Sequence, residues 1–304
     1  MSQLHLSRTL HMQPKLPEAY HPAIPFAEYL FAAGRHQTPW DITTATLVES
    51  IPAFGLFGSQ VNGPRPGICL SQDGQRLYFS NRKELVQLAL AAPFTLAGAT
   101  ELATSAALAT PGDSYLHGVW VSANEQRLWY VYADNVAQQN QLVQCDLTTP
   151  AALGGGFSSS SLLMPTVWPQ VAAPQLSPDG QHLFYTSGTG QWLRSRLNTP
   201  GTISGGFGTP DELIGNGDGT VTAAFAKPDG ERAYGYVDAT TPFFTERVFT
   251  TAFEPPLPPL RNLSTAPSGG HPVSAMWIDP SGQQLFLVRA FSANIERWQL
   301  GGVQ

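Results

Sequence analysis

Short apolar and aromatic runs separated by polar turns occupy most of this chain, and no segment sustains the 3.6-residue apolar period of an amphipathic helix. The clearest runs follow one turn signature. Ser71-Gln72-Asp73-Gly74-Gln75-Arg76 leads into Leu77-Tyr78-Phe79, Ser122-Ala123-Asn124-Glu125-Gln126-Arg127 into Leu128-Trp129-Tyr130, and Ser177-Pro178-Asp179-Gly180-Gln181-His182 into Leu183-Phe184-Tyr185. Lys227-Pro228-Asp229-Gly230 and Asp279-Pro280-Ser281-Gly282 repeat the turn ahead of weaker strands. In such a turn Pro presets φ, Asp bonds its own backbone and Gly accepts a positive φ, so each copy predicts a tight hairpin. A β-rich run precedes each hairpin, as in 67–70, 118–121 and 275–278, and a third strand follows in 85–88, 141–145 and 295–298.

The equivalent positions 74, 125, 180, 230 and 282 are spaced by 51, 55, 50 and 52 residues. A period of this size marks a repeat architecture. Three strands plus a fourth in the variable stretch before each repeat make one antiparallel blade, and radial packing of blades covers sheet faces that would otherwise lie open. The expectation is an all-β fold, a single β-propeller of about five blades, with six also allowed. A second mark follows the third strand: Pro93 with Leu96, Pro150 with Leu153, and Pro200 with Ile203, matched near the N-terminus by Pro39-Trp40-Asp41-Ile42. Proline there is expected to end the outer strand, because it cannot donate a ladder hydrogen bond.

The repeats span about 45–302. Residues 1–25, with Pro14, Pro17, Pro22 and Pro25 and no alternation, read as an extended N-terminal arm, and the remaining 26–304 as the propeller domain. Phe26-Ala27-Glu28-Tyr29-Leu30-Phe31-Ala32 resembles a post-turn strand, so 26–44 is expected either to close the ring against the last blade or to be the remnant of a sixth. Residues 1–25 show neither an apolar core nor a cleavage site of a signal peptide, and no run approaches the ~20 apolar residues of a membrane span.

With 29 Gly and 26 Pro among 304 residues and only 12% charged, the chain is turn-rich and its surface relies on Ser, Thr, Gln and Asn. Net charge is −6 with the basic residues dispersed, which argues against nucleic acid as a partner. Cys69 is placed on an inner strand and Cys145 on an outer strand of the next repeat, so both are expected to be buried free thiols. Neither belongs to a metal-ligand cluster.

The Ser-Pro-Asp-Gly turn followed by a Leu-aromatic-aromatic strand resembles the repeats of the Tol-system periplasmic propeller and of lactonase-like propellers, over about 45–302. Thr38-Pro39-Trp40-Asp41-Ile42-Thr43-Thr44-Ala45 is similar to a Pro-Trp-Asp-Ile-x-Thr-Ala linker between blades of propeller-like bacteriophage structural and tail-associated proteins, and Cys145-Asp146-Leu147-Thr148-Thr149-Pro150 is a degenerate echo of it. The second resemblance implies a virion subunit whose partners are other virion proteins or a host receptor, oligomeric within an assembly and made in the host cytoplasm.

Candidate chemistry is sparse. No nucleophile elbow, zinc-protease motif or phosphate loop is present. Gly215-Asn216-Gly217-Asp218-Gly219-Thr220 lacks the distant glutamate of a calcium loop, and Asp211 and Glu212, adjacent on a strand, point to opposite faces. No metal and no cofactor is therefore expected, and no catalytic residue is assigned. Of the seven histidines, His182 reads as an exposed turn residue, and His117 and His271 stand just before inner strands, where loops approach the axis. Trp168, Trp192, Phe243 and Phe244, in or beside loops, are the candidates for a binding surface. The expected function is a non-enzymatic interaction protein of a phage particle. The alternatives are a cellular protein-binding propeller and a lactonase-like hydrolase using His117 and His271.

Overall fold

A computed structural model describes residues 39–301 apart from 53–65, 81–82, 106–107, 109–114, 135–136, 138, 165–173, 188, 215–219, 240–241, 250–260, 264–272 and 290–293. The expected arm and residues 26–38 lie outside the described residues, as do His271, Trp168 and the glycine-rich 215–219.

The described chain is a five-blade propeller built from strands in sequence order. After β1 (Thr46–Pro52), blade 1 contains β2 (Ile68–Leu70), β3 (Arg76–Ser80), β4 (Leu85–Ala89) and β5 (Thr100–Thr104). Blade 2 contains β6 (Tyr115–Val121), β7 (Arg127–Asp134), β8 (Gln139–Leu147) and β9 (Phe157–Leu163). Blade 3 contains β10 (Gln175–Leu176), β11 (His182–Thr186) and β12 (Trp192–Thr199), whose outer edge is shared by β13 (Thr202–Phe207) and β14 (Asp211–Ile214). Blade 4 contains β15 (Thr220–Ala226), β16 (Arg232–Asp238), β17 (Phe243–Val248) and β18 (Arg261–Leu263). Blade 5 contains β19 (Val273–Ile278), β20 (Gln284–Arg289) and β21 (Asn294–Gln299), and takes β1 as its outer strand.

Two details differ from the sequence expectation. The fourth strand belongs to the repeat before it in the chain: β5 pairs with β4 and β9 with β8. The strand that closes the ring is β1, paired antiparallel with β21 from Thr46↔Gln299 to Pro52↔Asn294, so closure falls just beyond the 26–44 segment. Outer strands carry exposed, weakly apolar side chains, as in β5 and β9, so the pattern alone does not tell which neighbour they pair with.

The signature turns fold as their chemistry dictates. Ser71 Oγ donates to Asp73 Oδ1 (2.5 Å), Gln75 N donates to the same carboxylate (3.0 Å), and Arg76 N donates to Ser71 Oγ (3.0 Å). Ser122 with Asn124 and Ser177 with Asp179 repeat the arrangement. Blade 5 exchanges the two residue types: Asp279 takes the serine position, Ser281 the aspartate position, and Ser281 Oγ donates back to Asp279. The turn closes at a left-handed residue, a glycine at 74, 180, 230 and 282 and Glu125 (φ 51°) in blade 2.

The proline after the third strand serves a different end from the one the sequence suggested. It sets up a left-handed residue that lies on the hairpin of its own blade. Phe94 N donates to Gly74 O (2.8 Å), Ala151 N to Glu125 O (2.9 Å), Gly201 N to Gly180 O (2.8 Å), and Trp40 N to Gly282 O (2.7 Å). Trp40, Phe94 and Ala151 carry φ of 69°, 57° and 59°. The apolar residue two places on, Ile42, Leu96, Leu153 or Ile203, is then fully buried as a plug.

Candidate functional site

Among the described residues, side chains of different blades meet at the axis and at the seams between blades. The axis is lined by inner strands of all five blades. A cavity of about 10 Å³ is walled by Gly67, Ile68, Val119, Trp120, Gln175, Ala224, Phe225, Ala275 and Met276 among others. That volume is about the room one water requires. Phe225 is its aromatic hub, with ring centroids 6.4 Å from Trp40, 6.4 Å from Trp120 and 6.5 Å from Trp277. Blades 1 and 2 meet so closely at the axis that a Cβ on Gly67 would sit 2.1 Å from the Gly118 Cα.

Each blade carries a polar residue in the middle of its third strand, opposite the aromatic of its second strand: Gln87, Gln144, Arg194, Glu246 and Arg297. Four of these five are buried. At three seams, such a residue or its partner accepts the N–H of the neighbouring plug. Leu153 N donates to Gln87 Oε1 (3.1 Å) and Ile203 N to Gln144 Oε1 (3.2 Å). Leu96 N donates to Glu49 Oε2 (2.8 Å), the carboxylate held by Arg297 Nε (2.9 Å). A buried amide or carboxylate thus supplies the hydrogen bond a plug's backbone loses on leaving water.

The seam between blades 1 and 2 is the most polar. Arg76 donates from Nε (2.8 Å) and Nη2 (2.7 Å) to the two oxygens of Glu125, a bidentate pair. Tyr78 Oη donates to Glu125 Oε2 (2.5 Å), and Gln87 Nε2 donates to Tyr78 Oη (3.1 Å) and to Ala151 O (2.7 Å). Burial and the Glu125 carboxylate push the Tyr78 hydroxyl well above the usual phenol range, and Glu125 pushes Arg76 higher still. Between blades 2 and 3, Arg127 pairs with Asp146 (2.7 Å) and donates to Gly201 O (2.7 Å). Between blades 3 and 4, Gln175 and Ala226 exchange two hydrogen bonds. Between blades 4 and 5, Tyr234 Oη donates to Trp40 O (2.8 Å) and the Lys227 ammonium lies 5.2 Å from the Trp40 ring centroid.

The remaining shifted groups belong to turns or to the core. Asp73 and Asp179 sit below the usual carboxylate range: partial burial opposes ionisation, but serine and backbone donors outweigh it. Asp279 is raised by burial despite its own donors. Burial pushes the thiols of Cys69 and Cys145 up to about 12, and both are buried and free.

The residues expected to form a binding surface are dispersed. Trp192, 1% exposed, packs on Phe184 (5.8 Å) between blades 3 and 4. Phe244, 2% exposed, stands edge-on to Tyr236 (5.0 Å). Trp192 begins β12 and Phe244 is the second residue of β17, so neither lies in a loop and both rings are buried in the core. Phe243, the first residue of β17, points the other way and is half-buried against the cluster of Trp192. His117 is buried on β6, beside the bulge at Gly118. His182 is half-buried at the start of β11, its ring tilted against Phe184 (6.4 Å between centroids) rather than fully exposed. Among the described residues, no group of three or more His, Cys, Asp or Glu is placed to hold a metal ion. No described helix is long and apolar enough to cross a membrane. The seam residues Glu125, Gln87 and Gln144 were not singled out by sequence, although the recurrence of Leu-Val-Gln in 85–87 and 142–144 carries the signal.

No protein-family profile and no curated protein sequence matches the chain. Among solved structures, it is similar to a chain of a "Mitotic Checkpoint Complex" at 11% identity and a TM-score of 0.49, over 97% of this chain and 100% of that one. It is also similar to the Cps50 (Swd1) β-propeller domain of Myceliophteria thermophila, at 8% identity and a TM-score of 0.40, over 74% of this chain and 67% of that one. The fold assignment stands on the sheet topology itself.

Proposed function

We propose that this chain is a non-catalytic protein-interaction module, a rigid five-blade ring that engages a protein partner through its outer surface. The observation that carries this reading is the axis, where among the described residues Ile68, Trp120, Phe225 and Met276 leave a space about the size of one water. A substrate pocket spans several hundred Å³. Shifted ionisable groups, which often mark catalytic sites, have their partners here within turns and seams. The narrower setting, a subunit of a bacteriophage particle, is supported by the Pro39-Trp40-Asp41-Ile42 linker. The work of that linker in this fold is to latch the last blade.

The test is cross-linking of the full chain in its source cells, followed by quantitative mass spectrometry of the captured complex and of any virus particles released. One protein recovered in stoichiometric amount supports the module, and its recovery inside particles supports the virion setting. Hydrolysis of a lactone panel that is lost in His117→Ala, with no protein partner captured, would overturn the reading.

A further inference from the structure

The outer edge of blade 2 has a composition that other outer strands avoid. β1 contains Glu49 and Pro52, β5 contains Glu101, β14 contains Asp211 and Glu212, and β18 contains Arg261. Charge and proline on an edge oppose pairing with another chain. β13 is uncharged, but Gly205-Gly206 interrupt it and it holds its neighbour through only two register pairs. β9, Phe157-Ser158-Ser159-Ser160-Ser161-Leu162-Leu163, has neither charge nor proline and pairs with β8 along its whole length without a bulge. Its four serines are exposed, and Leu163 is 55% exposed.

The ladder shows which backbone groups remain open. Thr148 N donates to Gly156 O (3.0 Å) at one end and Met164 N to Asn140 O (2.9 Å) at the other, in one continuous register. Bonded and non-bonded pairs alternate in an antiparallel ladder. Ser158, Ser160 and Leu162 therefore bond to β8, and the N–H and C=O groups of Phe157, Ser159, Ser161 and Leu163 point away from the blade.

These four residues read apolar, Ser, Ser, apolar, a pattern unchanged when the strand is reversed. We propose that β9 pairs antiparallel with β9 of a second copy of this chain, about a two-fold axis at Ser160. In that register each outward-facing residue meets an outward-facing residue. Phe157 lies opposite Leu163 of the second copy, Ser159 lies opposite Ser161, and each such pair exchanges two backbone bonds. Two four-stranded blades become one continuous sheet, and the interface is isologous, as two-fold symmetry requires. An edge pair of this length covers less than the ~800 Å² per partner of a standard interface, so a weak, concentration-dependent dimer is expected. Each copy carries a net charge of −6, so salt should tighten the dimer. This contact is separate from the binding of a foreign protein and stands without it.

Sedimentation velocity of the full chain from about 1 to about 200 µM tests the proposal over concentrations at which a small interface would associate weakly. A concentration-dependent dimer is expected, strengthened between about 0.05 and about 0.5 M salt. Ser161→Pro removes an outward N–H and leaves the bonds to β8 in place, so it should weaken the dimer about tenfold or more. Ser160→Cys faces its own counterpart across the axis at about 4.5 Å between Cα atoms, within disulfide reach, and should oxidise to a covalent dimer while Ser158→Cys does not. The native thiols are buried and do not compete. A chain that stays monomeric and gives no Ser160→Cys cross-link overturns the proposal. So does a dimer indifferent to Ser161→Pro and to the position of the introduced cysteine.

Discussion

Replacing Glu125 separates the two contributions that this residue makes with opposite sign. Its backbone is left-handed, at φ 51°, where the other four repeats use glycine. A side chain there costs about 1–2 kcal/mol. Its carboxylate accepts two bonds from Arg76 and one from Tyr78 across the seam between blades 1 and 2. Removing one partner of a buried pair typically costs about 3–5 kcal/mol. The Arg76 side chain is 25% exposed and keeps Asp73 at 3.5 Å, and Tyr78 keeps Gln87, so about 2–3 kcal/mol is the better figure here. Glu125→Ala should lose that amount while retaining the backbone cost. Glu125→Gly should lose about 1 kcal/mol less than Glu125→Ala. Glu125→Gln, which keeps the shape and one acceptor, should lose about 1–2 kcal/mol. Equilibrium urea unfolding resolves these steps, and the alanine variant should melt roughly 4–10 °C lower. A glycine variant as stable as the parent would refute the reasoning, because the bidentate pair would then contribute nothing beyond the strain it accompanies.

Trp40→Ala should cost about 2–3 kcal/mol, measured by urea unfolding, through loss of its packing on Phe225 and Lys227, and an unchanged midpoint would show that the latch is dispensable. Gly282→Ala should unfold at still lower urea, since the added Cβ would lie 2.2 Å from the Trp40 indole nitrogen at a φ of +71°. Asp279 is raised by burial, so the folded state holds its proton more tightly than the unfolded one, and its contribution falls as pH rises from about 3.9, the ordinary aspartate value. The stability margin of the parent over Asp279→Asn should accordingly narrow between acid and neutral pH, as read from melting temperatures. Asp73 has the opposite sign: its carboxyl is lowered, its contribution is present above about 3.9 and is lost as pH falls further, so Asp73→Asn should flatten the acid limb of the stability profile. With both thiols pushed up to about 12 and buried, a thiol reagent at mildly alkaline pH should react only as fast as the protein opens, and immediate labelling of Cys69 or Cys145 would contradict their placement.

The turn signature made the blades legible because its chemistry is local: Ser, Asp and Gly within four residues fix a hairpin whatever surrounds it. The same locality explains the five missed features. The pairing of β1 with β21 joins residues about 250 apart in the chain, and nothing in Thr46-Leu47-Val48-Glu49 announces its partner. Outer strands such as Thr100–Thr104 lack the apolar alternation by which strands are recognised. Trp192 and Phe244 were placed in or beside loops, but Trp192 begins β12, Phe244 is the second residue of β17, and both rings are buried against packed strands, which a short apolar run next to a turn does not reveal. The proline mark was correctly seen as periodic, yet its purpose, a left-handed residue seated on a hairpin and a plug two positions on, exists only once two blades are side by side. Glutamines 87 and 144 look like surface residues in sequence and become seam acceptors for the same reason.

Blade 5 belongs to both ends of the chain. Gly301 N donates to Thr44 Oγ1 across a sequence separation of 257, and Trp40 rests on Gly282. During synthesis the latch therefore leaves the ribosome before any blade, and the strand and hairpin that receive it leave after the other four blades. Four blades can form in order behind it, but β1 must wait as an unpaired strand until blade 5 has been made. The ring consequently has no closed intermediate, and a ribosome that stalls before β21 releases an open arc whose two end blades expose the faces and edges that closure would have joined.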